Sequence, residues 1–264
     1  MPGKMRNVVP AFCFLMFVII VSGALSADDA QYDLSLEKIT DSIYFVTDKL
    51  GLGNSVFFTG DDGVLLIDSK NSILADNLLA AVAESTDRPL RILINTHWHF
   101  DHVTGNKKIH LPGAALIAHE NVRQRMSTEQ HNDFFGKTYP PAHPAALARI
   151  VFDRSMTLYF NDDEVSLFHP GPAHTDGDAV VFFKNANVVH MGDLYFAGMY
   201  PFIDYSSGGS AKSMVAAIRR VLPMIDEATT VIPGHGPVSN KAELELFVTM
   251  LEKTTASVEQ LIAA

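Results

Sequence analysis

The chain has 264 residues, 47% hydrophobic and 19% charged, a globular composition with enough length for one large domain. Its net charge is −10, with no Lys/Arg run that could line a basic groove, which argues against a nucleic-acid partner. The single cysteine, Cys13, lies near the N-terminus, so the rest of the chain has neither a disulfide nor a thiolate ligand.

The first 27 residues read as a secretory signal peptide. Lys4 and Arg6 form a positive start, Val8 to Val21 is an apolar run, and small residues from Ser22 to Ala27 precede the acids Asp28 and Asp29. Cleavage is expected after Ser26 or Ala27, giving a periplasmic or secreted protein without stable membrane association; an uncleaved anchor is the alternative, because the run is nearly long enough to span a bilayer. Cleavage removes Cys13 and two cations, taking the net charge from −10 to −12.

Residues 28–264 show no repeat or linker and read as a single domain. Strands are expected at 42–47, 54–59 and 63–68, with Asp61-Asp62-Gly63 as the turn between the last two and 48–53 as a flexible loop. A helix is expected over 71–84, then strands at 91–95 and 115–118, the latter followed by another helix. Residues 128–149 lack periodicity and suggest a long lid or binding loop. Strands recur at 165–169, 179–183 and 187–190. Ala211, Met214, Val215, Ile218 and Leu222 form one apolar helical face stopped by Pro223, a strand covers 229–232, and Leu244, Phe247, Val248 and Leu251 mark a final helix. Strand runs interspersed with amphipathic helices indicate an α/β or α+β layered domain, with sheets covered by helices.

The segment His97-Trp-His-Phe-Asp-His102 concentrates the chemistry. His97, His99, Asp101 and His102 offer imidazole nitrogen and carboxylate oxygen, the donors that suit Zn²⁺ and related ions. They follow the buried strand at 91–95, in mid-chain and with an acid among them, which sets them apart from a tag or a solvated loop. An extended backbone points His97 and His99 the same way, while Asp101 and His102 need a turn to aim at a second point, so the spacing suggests two adjacent metal positions. Three later loops, each just past a strand, add candidates: His174 in Pro172-Ala-His-Thr-Asp-Gly-Asp178, Asp193 in Gly192-Asp193, and His235 in Gly234-His-Gly236. His190, His169, His110, His119, His131 and His143 lack such context and read as packing or surface residues. Asp176 and Asp178 read as turn or cap residues.

In their order, the HxHxDH motif, the His174 loop, the Gly-Asp and the Gly-His-Gly resemble the metallo-β-lactamase fold superfamily over nearly the whole chain from about Leu36. The resemblance implies an αββα sandwich of two mixed β-sheets flanked by helices, with the site at one edge. It assigns His97, His99 and His174 to one zinc, Asp101, His102 and His235 to a second, Asp193 as the bridging carboxylate, and Asp68 as the acid orienting a ligand histidine. It implies a hydrolase in which two cations roughly 3.5–4 Å apart share a hydroxide that attacks a carbonyl, with Asp101 orienting the water.

Export and single-domain size resemble β-lactamases. Two departures separate this chain from the cysteine-containing lactamases: Asp193 stands where they have Cys, and Phe196 stands where they have Lys, leaving Lys70 or Arg123 as candidate grips on a substrate carboxylate. The ligand set matches lactonases and thioesterases of the superfamily, although only 29 residues follow His235, few for a glutathione-binding domain. A mononuclear iron sulfur dioxygenase and a non-catalytic metal-binding protein are the readings from other classes. The expected pocket walls are Leu50, Leu52, Trp98, Phe134, Phe135, Tyr195, Phe196 and Tyr200.

Overall fold

The computed structural model describes residues 32–109 and 113–264. The signal-peptide reading, with Cys13, and His110 lie outside the described residues.

The N-terminal half builds a seven-stranded mixed sheet. Strands β1 (Leu34–Lys38), β2 (Ile43–Asp48), β3 (Ser55–Gly60) and β4 (Gly63–Ile67) form an antiparallel meander. The β3–β4 hairpin turns at Asp61-Asp62, where Gly63 takes φ +122°. Helix α1 (Ala75–Ser85) then leads to β5 (Leu90–Asn95), parallel to β4. This helix begins later than its apolar pattern suggests because Asn71 Oδ1 accepts the Ile73 and Leu74 N–H groups and holds the chain in a turn. Two short helices, α2 (Phe100–Val103) and α3 (Asn106–Ile109), precede β6 (Ala115–His119) and α4 (Glu120–Met126). Within the expected loop lies a small hairpin, β7 (Gln130–Asn132) with β8 (Lys137–Tyr139), before β9 (Ile150–Phe152) closes the sheet parallel to β6.

The C-terminal half builds a six-stranded sheet. Strands β10 (Ser155–Phe160), β11 (Asp163–Phe168), β12 (Val180–Phe183) and β13 (Val188–His190) run antiparallel. Helix α5 (Ala211–Val221) crosses to β14 (Thr230–Ile232), parallel to β13, and β15 (Ser239–Asn240) leads into α6 (Lys241–Ala263).

The two sheets pack face to face through Phe45, Phe58, Ile67, Ile94, Phe183 and Ile232, all buried. The outer face of the first sheet is covered by α1 and α4 through Leu78, Leu93 and Val122, and that of the second by α5 and α6 through Met214, Ile218 and Leu244. The αββα sandwich is therefore the observed architecture, and the ligand-bearing segments all leave strands at one edge of it. Among the described residues, no helix is long and apolar enough to cross a membrane.

Candidate metal centre

The HxHxDH segment starts as extended backbone after β5. His99 keeps β geometry, φ −65° and ψ 150°, as the residue before α2, and one helical turn then brings Asp101 and His102 round to a different point. A reciprocal amide pair pins this segment from beneath: Asn106 Nδ2 donates to Asn95 Oδ1 at 2.7 Å, and Asn95 Nδ2 to Asn106 Oδ1 at 3.1 Å.

Two groups of ligand atoms result. His97, His99, His174 and Asp193 form one and Asp101, His102 and His235 the other, the atoms within each group lying within 4.8 Å of one another. Asp193 faces both. Its Oδ2 is 3.6 Å from His97 Nε2, 3.3 Å from His174 Nε2 and 3.4 Å from His235 Nε2, while its Oδ1 is 3.2 Å from His102 Nε2. All seven sequence-expected ligands are brought together.

Each imidazole is fixed from its far side. Asp68 receives the Thr96 N–H and hydroxyl at 2.8 and 2.7 Å and contacts His102 Nδ1 at 2.8 Å, from a left-handed backbone conformation (φ 58°). His99 Nε2 meets Asp204 Oδ2 at 3.0 Å, His174 Nδ1 meets the Phe202 carbonyl at 2.8 Å, and His235 Nδ1 meets the Gly51 carbonyl at 3.2 Å. Such partners select the tautomer and aim the other nitrogen at the site. Sequence reasoning identified Asp68 and missed Asp204, Phe202 and Gly51, which lie in no motif and reach the site only through loop folding.

Two of the histidines are held in the neutral form that ligates, while the carboxylates draw positive charge to the rest of the site. Burial and the charge of His102 push His97 well below the ordinary histidine range, and burial brings His174 to about 4, so both present neutral imidazole. Burial opposes the charged form of His102 too, yet Asp193, Asp101 and Asp68 hold it well above the ordinary range. Asp193 stays ionised despite burial because His235, His102, His97 and His174 surround it. The donor set fits a metal on a further observation: His97 Nε2, His102 Nε2 and Asp193 Oδ1 are buried without a hydrogen-bond partner. Orphaned polar atoms are costly in an interior, and the spacings of 3.2 Å from His102 Nε2 to Asp193 Oδ1 and 3.6 Å from His97 Nε2 to Asp193 Oδ2 suit donors that share a cation.

The backbone forms part of the wall. A Cβ on Gly53 would collide with the His102 ring, and one on Gly234 with Asp193 Oδ1. Glycine is required at both positions by close approach.

A cavity of about 240 Å³ opens over His99, Asp101, Asp193 and His235. Leu52, Trp98, Phe135 and Phe196 line it as expected. The other expected walls are corrected. Leu50 is 43% exposed and is not part of the cavity lining, while Phe134, 77% exposed, packs against Phe135 and Phe202. Tyr195 and Tyr200 line a separate hollow against α6, because the tight turn at Gly192–Leu194 sends Tyr195 towards Phe247 and Ser239. Phe100, Asn132, Tyr139 and Phe202 are walls that sequence reasoning missed. Neither candidate grip reaches the cavity. Lys70 is fully buried and bonded to Asp48 at 2.9 Å and the Gly53 carbonyl at 2.7 Å, and Arg123 donates to the Ala148 carbonyl.

The residues read as packing are placed accordingly: His190 and His119 are buried, His169 stacks on His119 at 4.0 Å, and Asp178 caps His174 and Thr175. Asp176 does more than turn the chain, since both its oxygens receive Arg125.

The family model described as the metallo-beta-lactamase superfamily matches residues 48–239, the span that carries every ligand above. The chain belongs to the metallo-β-lactamase superfamily. It is 23% identical over 242 residues to a protein named 2,4-dinitroanisole O-demethylase subunit alpha from Nocardioides sp. (strain JS1661), covering 90% of this chain and 69% of that one. It is 27% identical over 189 residues to the probable metallo-hydrolase YqgX of Bacillus subtilis (strain 168), covering 70% and 85%. In fold it is similar to a metallo-beta-lactamase from Pontibacter korlensis, with a TM-score of 0.71 and 18% identity over 83% of this chain and 99% of the other. The chain is thus a member of a metallo-hydrolase superfamily with β-lactamase-like structural neighbours, and its His/Asp cluster supports a metal cofactor.

Proposed function

We propose that this chain is an exported, zinc-dependent hydrolase with two cation positions, one held by His97, His99 and His174, the other by Asp101, His102 and His235, with Asp193 between them. The observation that carries the reading is the convergence of seven ligand residues in two groups around one carboxylate, with three of their ligand atoms buried and making no hydrogen bond. A pair of divalent cations supplies Lewis acidity and a water acidified towards neutrality. The chain's own residues do the rest. Asp101 Oδ2 is held by the Gly53 N–H at 3.0 Å and lies 3.4 Å from His235 Nε2, where it can orient the attacking water and accept its proton. The ring-lined cavity gives the substrate a place beside the ligands. In the net reaction water adds to a carbonyl carbon, the bond to the leaving nitrogen, oxygen or sulfur breaks, and that atom takes the proton.

The structural neighbours support a β-lactam substrate, whereas the absence of a lysine or arginine from the cavity lining among the described residues favours an ester or lactone. The test is metal analysis of the purified protein followed by assay on a cephalosporin, a carbapenem, a homoserine lactone, a thioester, an aryl ester and, given the relative named as an O-demethylase, an aryl methyl ether. Zinc near two per chain and chelator-sensitive turnover support the proposal. Iron at one per chain would favour the dioxygenase alternative, and undiminished turnover by metal-free protein or by H97A would overturn the hydrolase reading.

A further inference from the structure

The cavity beside the ligands is lined mainly by rings. Trp98, Phe100, Phe135, Tyr139, Phe196 and Phe202 surround it, joined by Leu52, Gly51 and Asn132. Among the described residues, its ionisable groups other than Tyr139 are four of the proposed metal ligands, His99, Asp101, Asp193 and His235. Among the described residues no lysine or arginine lines it: Lys70 is engaged with Asp48, Arg123 with the Ala148 carbonyl, and Arg125 with Asp176 and Gln130. Arg125 and Lys107 belong to a neighbouring hollow behind Trp98 and Tyr139.

A carboxylate is recognised by Lys or by a bidentate Arg, and one buried among rings without such a partner loses hydration with little compensation. Next to the ligands the proposed metal pair would attract a carboxylate and repel a cation, whereas against the rings that carry no ligand a carboxylate finds no cationic partner and a cation finds only ring faces. The cavity therefore favours an uncharged group. Its size narrows the choice: an apolar cavity of about 150 Å³ accommodates benzene, and this one measures about 240 Å³.

We propose that the pocket selects substrates carrying an uncharged, single-ring-sized apolar group beside the scissile bond, and discriminates against those with a carboxylate on that group. The proposal rests on the reading of the centre as a hydrolase, and binding and turnover test the two separately. Trp98 is the only tryptophan in the chain and lines the cavity, so intrinsic fluorescence reports occupancy directly.

Metal-loaded and metal-free protein would be titrated with three non-hydrolysable probes of matched shape: acetophenone, 4-acetylbenzoate and (4-acetylphenyl)trimethylammonium. The neutral probe is expected to bind about tenfold more tightly than either charged one, a difference of about 1.4 kcal/mol. F135K, at the half-exposed hairpin tip, is expected to raise affinity for the carboxylate probe with metal content unchanged; L52K is the companion if F135K folds poorly. Phenyl acetate and 4-acetoxybenzoate serve as the matched turnover pair. Carboxylate or ammonium binding equal to or tighter than that of the neutral probe overturns the proposal. Preserved probe preference with no turnover of any carbonyl substrate would instead overturn the hydrolase reading and leave the ligand class standing.

Discussion

His99 Nε2 lies 3.0 Å from Asp204 Oδ2, a contact that turns the other ring nitrogen, Nδ1, towards the site, 2.8 Å from His174 Nε2. Ser207 hands its hydroxyl hydrogen to the same carboxylate oxygen at 2.6 Å and receives the Trp98 indole N–H at 3.1 Å. A ligand and a pocket wall thus share one anchor. With these hydrogen bonds Asp204 titrates near 2 even though burial opposes its charge. D204N should weaken metal affinity by about 10–100-fold, the usual cost of losing a ligand's orienting partner. Competition with a chelating dye measures this, and S207A should cost less while shifting Trp98 fluorescence. Unchanged affinity in D204N would show that His99 needs no such support.

G53A and G234A probe a different dependence, because each added methyl meets a ligand side chain. Both variants should fold with near-normal circular dichroism but carry less than the full metal complement by elemental analysis. G53A should deplete the group containing His102, whereas G234A, by displacing Asp193, should affect both groups.

The ion pair between Lys70 and Asp48 is sealed from solvent on both sides, and the same ammonium holds the Gly53 carbonyl. K70M leaves the Asp48 carboxylate buried and uncompensated, a change that costs about 3–5 kcal/mol. Urea denaturation should register this loss, and K70M/D48N should recover part of it. Because residues 49–53 also present Gly51 to His235, metal affinity should fall in parallel.

His119 supplies an acid-sensitive element away from the ligands. Its Nδ1 accepts the Asn121 N–H and its Nε2 meets the Asp153 carbonyl, an arrangement that suits the neutral ring. Burial, reinforced by the charge of His169, lowers its pKa to about 4 although Asp153 and Asp176 pull the other way. The unfolded chain titrates near 6.5, so between about pH 6.5 and 4 the unfolded state binds more protons and native stability falls as the solution is acidified. The contribution is at most about 3 kcal/mol and is complete above pH 6.5. Relative to H119N, whose side chain can keep the helix cap without titrating, the wild-type protein should lose more stability across this interval. Parallel unfolding curves at all pH values would refute the assignment.

The ligands were legible in sequence because they cluster just past apolar strands, His97 to His102 after β5, Asp193 after β13 and His235 after β14, with His174 in a Gly/Pro turn beyond β11. The central strands were legible because β4 and β5 carry runs that only a two-sided core accommodates. Strands β1 and β10 were not, since they are largely open to solvent and no burial requirement writes an apolar pattern into them. The hairpin β7–β8 was hidden similarly, its three-residue strands being too short to show a period. Tyr195 misled because an aromatic two residues past a ligand faces the pocket only if the chain continues extended, and here it turns. Asp204, an unremarkable acid in a loop, acquires its meaning only when the chain returns to His99.

His97, His99, Asp101 and His102 follow β5 of the first sheet, whereas His174, Asp193 and His235 come from loops of the second. Each ligand group therefore draws on both halves of the chain. Neither half can assemble a complete coordination set while the other is unfolded, so high-affinity metal capture has to await the docking of the two sheets. During refolding, uptake of the ion should lag behind formation of secondary structure and coincide with closure of the inter-sheet core, making the metal a clock for the last step of assembly as well as a participant in chemistry.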